Sequence, residues 1–250
     1  MEKIKLGAVS YLNTKPLLYG IKRNKALLEK ITIVEDYPSR ISAMLLDGSI
    51  DIGLVPVAVL PKLKEYFIIS DYCIGADGDV ASVCLFSEVP LADIQTVLMD
   101  YQSETSVALC KVLMKHFWKI NPTVIHTTGE FSTEIADTTA GVIIGDRALL
   151  QAKTSKYVYD LAGEWKKFTG MPFVFAAWVA NKQIPTDFIS VFNESNKLGL
   201  ENLEDVIKEE DNSLYDLHAY YTKNISFLFD DEKKKAMKMF LEMVGEESIR

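Results

Sequence analysis

Residues 4–16 read Ile-Lys-Leu-Gly-Ala-Val-Ser-Tyr-Leu-Asn-Thr-Lys-Pro. The run from Ile4 to Val9 is short, apolar and rich in β-formers, so it predicts a strand. It passes directly into the polar turn Ser10-Tyr11-Leu12-Asn13. A helix is then expected from about Pro16, because proline suits a first turn and Leu17, Leu18 and Ile21 fall on one face. A strand that ends in a polar turn before a helix is where open α/β sheets place their ligands.

The pattern continues downstream. Ile31 to Glu35 predicts a second strand, and Ser39 is expected to cap a helix whose Ile41, Met44 and Leu45 point one way before Gly48 stops it. Ile50 to Val55 then reads as a near-continuous apolar strand of the parallel-sheet kind, with Asp51 at its start and Pro56 just after its end. This is β-α-β-α-β. Two apolar, strand-like segments interrupt it, Val80 to Ser87 and Met171 to Asn181. Between them lie a strand at Thr96 to Met99, a helix from Glu104 to Trp118, a strand at Thr123 to Thr127, an amphipathic turn near Glu134 and a strand at Gly141 to Ile144. A middle lobe entered by one strand and left by another implies a two-segment hinge near Ser82 and Val174. The expected architecture is a two-lobed α/β fold with a ligand cleft between the lobes, residues 1–84 and 177–250 forming the first lobe and 85–176 the second. After Asn181 the chain turns helical and polar. Asp230-Asp231-Glu232 opens a last helix with Met237, Phe240, Leu241 and Val244 at helical spacing, and Lys233-Lys234-Lys235 reads as its solvated face. The acidic run Glu209-Glu210-Asp211 reads as a loop or helix end, and no internal sequence repeat is visible.

With 250 residues and 48% hydrophobic content the chain can bury a substantial core, which excludes disordered and fibrous classes. The apolar opening is broken early by Lys5 and Ser10, so no export signal is read, and no stretch approaches the length of a spanning helix. A soluble, cytoplasmic protein is expected. Cys73, Cys84 and Cys110 are odd in number and lack metal-ligand spacing, which fits reduced thiols filling a core. A net charge of −8 argues against a nucleic-acid surface. An anionic ligand would have to be held by local donors such as helix N-termini.

Familiar catalytic signatures are absent: there is no phosphate-binding glycine loop, zinc-protease helix or nucleophile elbow. His116 and His218 read as structural, whereas His126, near a strand end, could face the cleft. The remaining candidates are small polar groups at strand ends and helix starts. Ser10 and Asn13 follow the first strand, and Asn13 is either a turn former or a ligand contact. Ser82 sits on the first crossing strand. Ser103 reads as the cap of a helix whose first turn also carries Thr105 and Ser106, three hydroxyls beside free N–H groups suited to a carboxylate. Gly145-Asp146 ends a strand, so Asp146 either orients a ligand hydroxyl or caps the next helix.

The turn Ser10-Tyr11-Leu12-Asn13-Thr14-Lys15-Pro16-Leu17 resembles the hallmark of the chorismate dehydratase family of menaquinone biosynthesis. Further segments resemble that family in the same order: IDIGLVPV at 50–57, SVCLFS at 82–87, SETSVAL at 103–109, GVIIGDRAL at 141–149 and TGMPFVFAAW at 169–178. The resemblance implies a type II periplasmic-binding-protein-like fold turned to catalysis, acting on chorismate in the futalosine route with no metal or organic cofactor. It implies catalytic roles for Asn13 and Asp146, and substrate contacts from Ser10, Pro56, Ser82, Ser103, Thr105, Ser106 and Gly145. Glu104 departs from the family pattern, which has a basic residue there. An acid suits the helix dipole but removes a cationic grip on the substrate, leaving more to the backbone donors.

The implied product is 3-[(1-carboxyvinyl)oxy]benzoate. Loss of water makes the ring aromatic, so the enzyme has mainly to position and polarise. Two proton acceptors remain open: the substrate's own enolpyruvyl carboxylate, held against Asn13, and Asp146. A solute-binding protein for a small carboxylate, and the sister dihydroxynaphthoate-forming enzyme of the same pathway, are the alternative functions. No nucleic-acid or membrane partner is expected.

Overall fold

The computed structural model describes residues 3–210 and 215–248, so Asp211 of the acidic run lies outside the described residues. The chain divides into two compact units, Met1–Gly75 with Val174–Asp230, and Ala76–Phe173 with Asp231–Arg250.

The first unit opens with β1 (Ile4–Val9), α1 (Lys15–Ile21), α2 (Lys25–Lys30), β2 (Ile31–Asp36), α3 (Pro38–Leu46), β3 (Ile52–Pro56) and β4 (Phe67–Ala76). The second contains β5 (Val83–Ser87), β6 (Thr96–Met99), α4 (Glu104–Val112), β7 (Thr123–His126), β8 (Thr139–Ile144), α5 (Asp146–Gln151), β9 (Tyr157–Asp160) and α6 (Leu161–Thr169). The chain returns through β10 (Phe173–Ala180), α7 (Thr186–Glu201), α8 (Leu203–Glu209), α9 (Leu217–Ala219) and β11 (Ser226–Leu228), and ends in α10 (Asp231–Ser248) of the second unit.

The sheet of the first unit has the order β11-β4-β10-β3-β1-β2. Its β1, β2 and β3 run parallel, and β10 lies antiparallel to β3, with Ala176 opposite Pro56. The second sheet has the order β7-β6-β8-β5-β9. There β6, β7 and β8 run parallel, and β5 lies antiparallel to β8, with Val83 opposite Ile144. Both sheets therefore repeat one plan, three parallel strands followed by an antiparallel strand that the chain supplies as it enters or re-enters the unit. No sequence repeat announces it, because the plan is set by apolar pattern and connection length rather than by particular residues.

Burial explains the elements. In the first unit Leu6 and Ala8 of β1, Leu17, Leu18 and Ile21 of α1, and Ile41 and Leu45 of α3 are all buried. Helices α1 and α7 cross where Gly20 and Gly199 stand, and a Cβ on Gly199 would meet the Pro16 carbonyl carbon at 2.8 Å. In the second unit Cys84, Phe86, Leu98, Phe131, Ile135, Ile143 and Ala148 form one core. Helix α10 joins that unit through Phe240, whose ring lies 4.9 Å from Phe173 and 6.0 Å from Trp165.

Several details differ from expectation. The sequence division placed α10 in the first lobe, whereas its aromatic contacts group it with the second unit, so the chain passes between units three times rather than twice. Ser39 does not cap α3: Pro38 takes the first helical position and Tyr37 becomes the N-cap. Lys233 is not on a solvated face but buried at 3% exposure, in register with Ala236, Met237 and Phe240. Among the strands, β4, β9 and β11 were not anticipated.

Candidate functional sites in the two units

In the first unit the parallel strands β1, β2 and β3 all end at one sheet edge, where antiparallel β10 begins. Ser10 lies there, exposed, its N–H donating to the Asp36 carbonyl at 3.2 Å. Residues Leu12–Thr14 form a 3-10 turn closed by the Thr14 N–H on the Tyr11 carbonyl at 3.0 Å. Thr14 is fully buried and donates its hydroxyl to the Asn13 side-chain oxygen at 3.2 Å. The Tyr221 hydroxyl holds the turn by donating to the Leu12 carbonyl at 3.0 Å. The Asn13 amide oxygen is thus occupied by the turn, while its amide nitrogen has no hydrogen-bond partner among the described residues. Asn13 is therefore turn former and potential donor at once. Pro56 ends β3 at this same edge, buried.

In the second unit the corresponding edge gathers the ends of β6, β7, β8 and β9 and the start of β5. Ser82, Ser103, Thr105 and Ser106 are all buried there. Ser103 caps α4 as expected: its Oγ accepts from the Ser106 N–H at 3.4 Å and from the Ser106 hydroxyl at 3.1 Å. Glu104 occupies the first helical position, where a negative charge complements the dipole. Gly145 adopts φ +65° and ψ −150°, a conformation essentially restricted to glycine. Its N–H donates to the Ser82 carbonyl at 2.8 Å, tying the end of β8 to the start of β5 and setting Asp146 in the first turn of α5.

Two carboxylates that sequence reasoning passed over organise this edge. Asp100 follows β6, its side chain wholly buried, and its Oδ2 accepts from Arg147 Nη2 at 2.5 Å. Burial pushes its pKa up, while the guanidinium and the Gln102 N–H, at 2.7 Å, work the other way. Arg147 also donates to Gln102 Oε1 at 2.9 Å, clamping the turn that leads into Ser103. The second, Asp160, caps α6 and accepts from the N–H groups of Ala162, Gly163 and Ala81 at 3.0, 3.1 and 2.6 Å. An aspartate directly before an apolar helix start is a cap signal, and that signal would have found it.

His126 is exposed, its Nε2 3.2 Å from Lys111 Nζ, and desolvation and then that lysine lower its pKa. His218 lies 3.6 Å from Glu204. Cys73, Cys84 and Cys110 are free and buried, as expected of core thiols. Among the described residues no helix is long and apolar enough to cross a membrane, and no group of three metal-ligating side chains occurs.

A family model described as menaquinone biosynthesis matches residues 4–246. The chain belongs to that family. Two relatives similar to this chain are named chorismate dehydratase. The one from Thermus thermophilus is 26% identical, over 98% of this chain and 96% of its own. The one from Campylobacter jejuni is 27% identical, over 92% and 89%. Among solved structures, an Archaeoglobus fulgidus protein superimposes with a TM-score of 0.79 at 12% identity, covering 99% of this chain and 98% of its own. The alkanesulfonate-binding protein SsuA of Xanthomonas axonopodis pv. citri does so with a TM-score of 0.66 at 14% identity, covering 99% and 93%. At such identities the likeness is one of fold. It places this member of the family among periplasmic-binding-protein-like folds, in agreement with the two repeated sheets.

Proposed function

We propose that this protein is a chorismate dehydratase, a hydro-lyase converting chorismate to 3-[(1-carboxyvinyl)oxy]benzoate and water in the futalosine route to menaquinone, in the cytoplasm. The observation that carries the reading is the buried hydroxyl set at the start of α4, Ser103, Thr105 and Ser106, on a chain of the menaquinone family. The names of the two relatives support it. So does the chemistry. A helix start furnished with hydroxyls is a neutral donor array, suited to a carboxylate without needing a side-chain cation.

In this reading the ring carboxylate meets the α4 donors. The hydrogen on the ring carbon bearing the enolpyruvyl ether is conjugated through the ring diene to that carboxylate, so proton loss gives a delocalised anion that the donors stabilise. Hydroxide then leaves from the neighbouring carbon and the ring becomes aromatic. Asn13, with its amide nitrogen open to a ligand, aligns the enolpyruvyl carboxylate that takes the proton. Asp146 orients the ring. Ser10, Pro56, Ser82 and Gly145 complete the proposed contacts.

The test is to mix purified protein with chorismate and follow the appearance of an aromatic product by absorbance and NMR. Turnover to the enolpyruvyl ether of hydroxybenzoate is the expected result. Binding of chorismate without turnover would replace the reading with a solute-binding protein, and no binding at all would remove chorismate as ligand.

A further inference from the structure

Ala81 adopts φ +65°, a left-handed conformation that costs a residue bearing a Cβ roughly 1–2 kcal/mol and survives only where its surroundings enforce it. The enforcing group is the Asp160 carboxylate. Asp160 Oδ2 accepts the Ala81 N–H at 2.6 Å, while Oδ1 is taken by the two N–H groups at the start of α6. The next residue, Ser82, is fully buried, and its carbonyl accepts the Gly145 N–H at 2.8 Å. One carboxylate therefore divides its oxygens between a helix cap and the strained residue that precedes a proposed substrate contact.

We infer that Asp160 is a positioning residue: its Oδ2 holds Ala81 in the left-handed conformation and so sets Ser82 and the adjoining Gly145-Asp146 turn for substrate. This rests on the chorismate reading. The groups around Asp160 come from each element packed on it. They are Cys84 of β5, whose thiol lies 3.9 Å away, Asp79 of the preceding loop, and Glu164 and Lys167 of α6, which pair with each other at 2.6 Å. Burial, reinforced by Asp79, raises the Asp160 carboxyl to about 6 against the pull of the backbone N–H groups. Protonation puts a hydrogen on an oxygen that must accept, so the grip on Ala81 weakens as pH falls through that value. Simple charge repulsion would act in the opposite direction, since neutralising a carboxylate near a dianionic ligand tightens its binding. The sign of the change therefore separates holding from repulsion.

The experiment measures kcat and KM for chorismate from pH 5 to 8 in the wild type, Asp160→Asn, Asp160→Ser, Ala81→Gly and the double variant Asp160→Asn/Ala81→Gly. Serine keeps a cap oxygen but cannot also reach Ala81, and glycine adopts the left-handed conformation without strain. The wild type should show KM rising as pH falls below about 6, with kcat changing less. Asp160→Asn and Asp160→Ser should raise KM about tenfold at pH 7, the scale of one lost charge-assisted hydrogen bond, and lose the pH dependence. Ala81→Gly should recover part of that loss in the double variant and flatten the low-pH rise on its own, which a pure capping role does not predict. If both Asp160 variants fail to fold, the Ala81→Gly profile decides alone. An active wild type with a flat KM profile, or an Asp160→Asn loss that glycine leaves untouched, would overturn the inference. A wild type that does not turn over chorismate sinks the functional reading, and this inference with it.

Discussion

Gly199→Ala tests how the Asn13 turn is held in place. A Cβ on Gly199 would lie 2.8 Å from the Pro16 carbonyl carbon and 3.0 Å from Tyr19 Cβ, and closer still to the Pro16 oxygen. The obstruction is backbone, which cannot rotate away as a side-chain tip does, so α1 must retreat from α7. Overpacking of this kind costs about 1–3 kcal/mol, and a backbone obstacle belongs at the upper end. Helix propensity returns at most about 1 kcal/mol for alanine over glycine, leaving a net loss of about 2 kcal/mol. For a chain of this size that is a fall in Tm of about 4–8 °C. Gly245→Ala is the matched control: it lies in α10, exposed, with nothing within 4 Å of its added Cβ, so the same substitution should stabilise by up to about 1 kcal/mol. Differential scanning calorimetry of the two variants reads opposite signs. A Gly199→Ala protein that melts at or above the wild type, with Gly245→Ala also raised, would show that α1 and α7 do not depend on a glycine crossing. Because Pro16 lies three residues beyond Asn13, the retreat of α1 should also lower kcat.

Asn13→Ala should lower kcat by about 10- to 100-fold and raise KM less, because alignment is realised chiefly in the transition state, while Asp146→Asn should do less harm. Steady-state kinetics with circular dichroism as a folding check decides this, and near-normal kcat for Asn13→Ala with collapse of Asp146→Asn would make Asp146 the leading base. Ser106→Pro should reduce activity more than Ser106→Ala, since a ring that is sterically tolerated in the first turn takes from Ser103 Oγ the Ser106 N–H as well as the hydroxyl and so undoes the cap of α4; equal activities in two folded variants would take that cap out of the site. Raising ionic strength from about 0.01 to 0.15 M should leave KM flat or lower it, because a chain of net charge −8 repels a dianion at long range and salt screens the repulsion. A steep rise of KM with salt would instead reveal steering by lysines and arginines.

The parallel strands were legible because a strand buried on both faces must be a continuous apolar run, and β3 and most of β8 are such runs. Strand β4 carries Asp71 and Tyr72 in the middle of its apolar residues, and β9 has only four residues with Val158 exposed, so neither shows a pattern that stands out from a loop. Ser39 looked like a cap because serine favours caps, yet Pro38 fixes its own φ and starts the helix two positions earlier, with Tyr37 as the cap. Lys233 follows three acids and opens a run of three lysines, which disguised its register with Met237 and Phe240. At the second unit's edge the serines were legible as helix-start residues. Arg147 was not, and Asp160 was legible only as a helix cap, since what else they do depends on Gln102 and Ala81, which lie 45 and 79 positions away along the chain.

That division has a chemical reason. Groups proposed to touch substrate sit at strand ends and helix starts, where local sequence sets the backbone, so their signal is local. Groups that hold them must come from elsewhere in the chain, since a turn cannot brace itself against a ligand's pull. The departure at Glu104 shows the consequence. With an acid where the family resemblance leads one to expect a cation, position 104 offers a bound carboxylate no positive charge and adds a negative one. The remaining attraction comes from N–H and O–H dipoles, whose strength falls off faster with distance and misdirection than that of a charge. Such a site tolerates little displacement, and so depends more on its braces: the Arg147–Asp100 clamp on the turn before Ser103, the glycine-only conformation at Gly145, and the carboxylate of Asp160 behind Ser82.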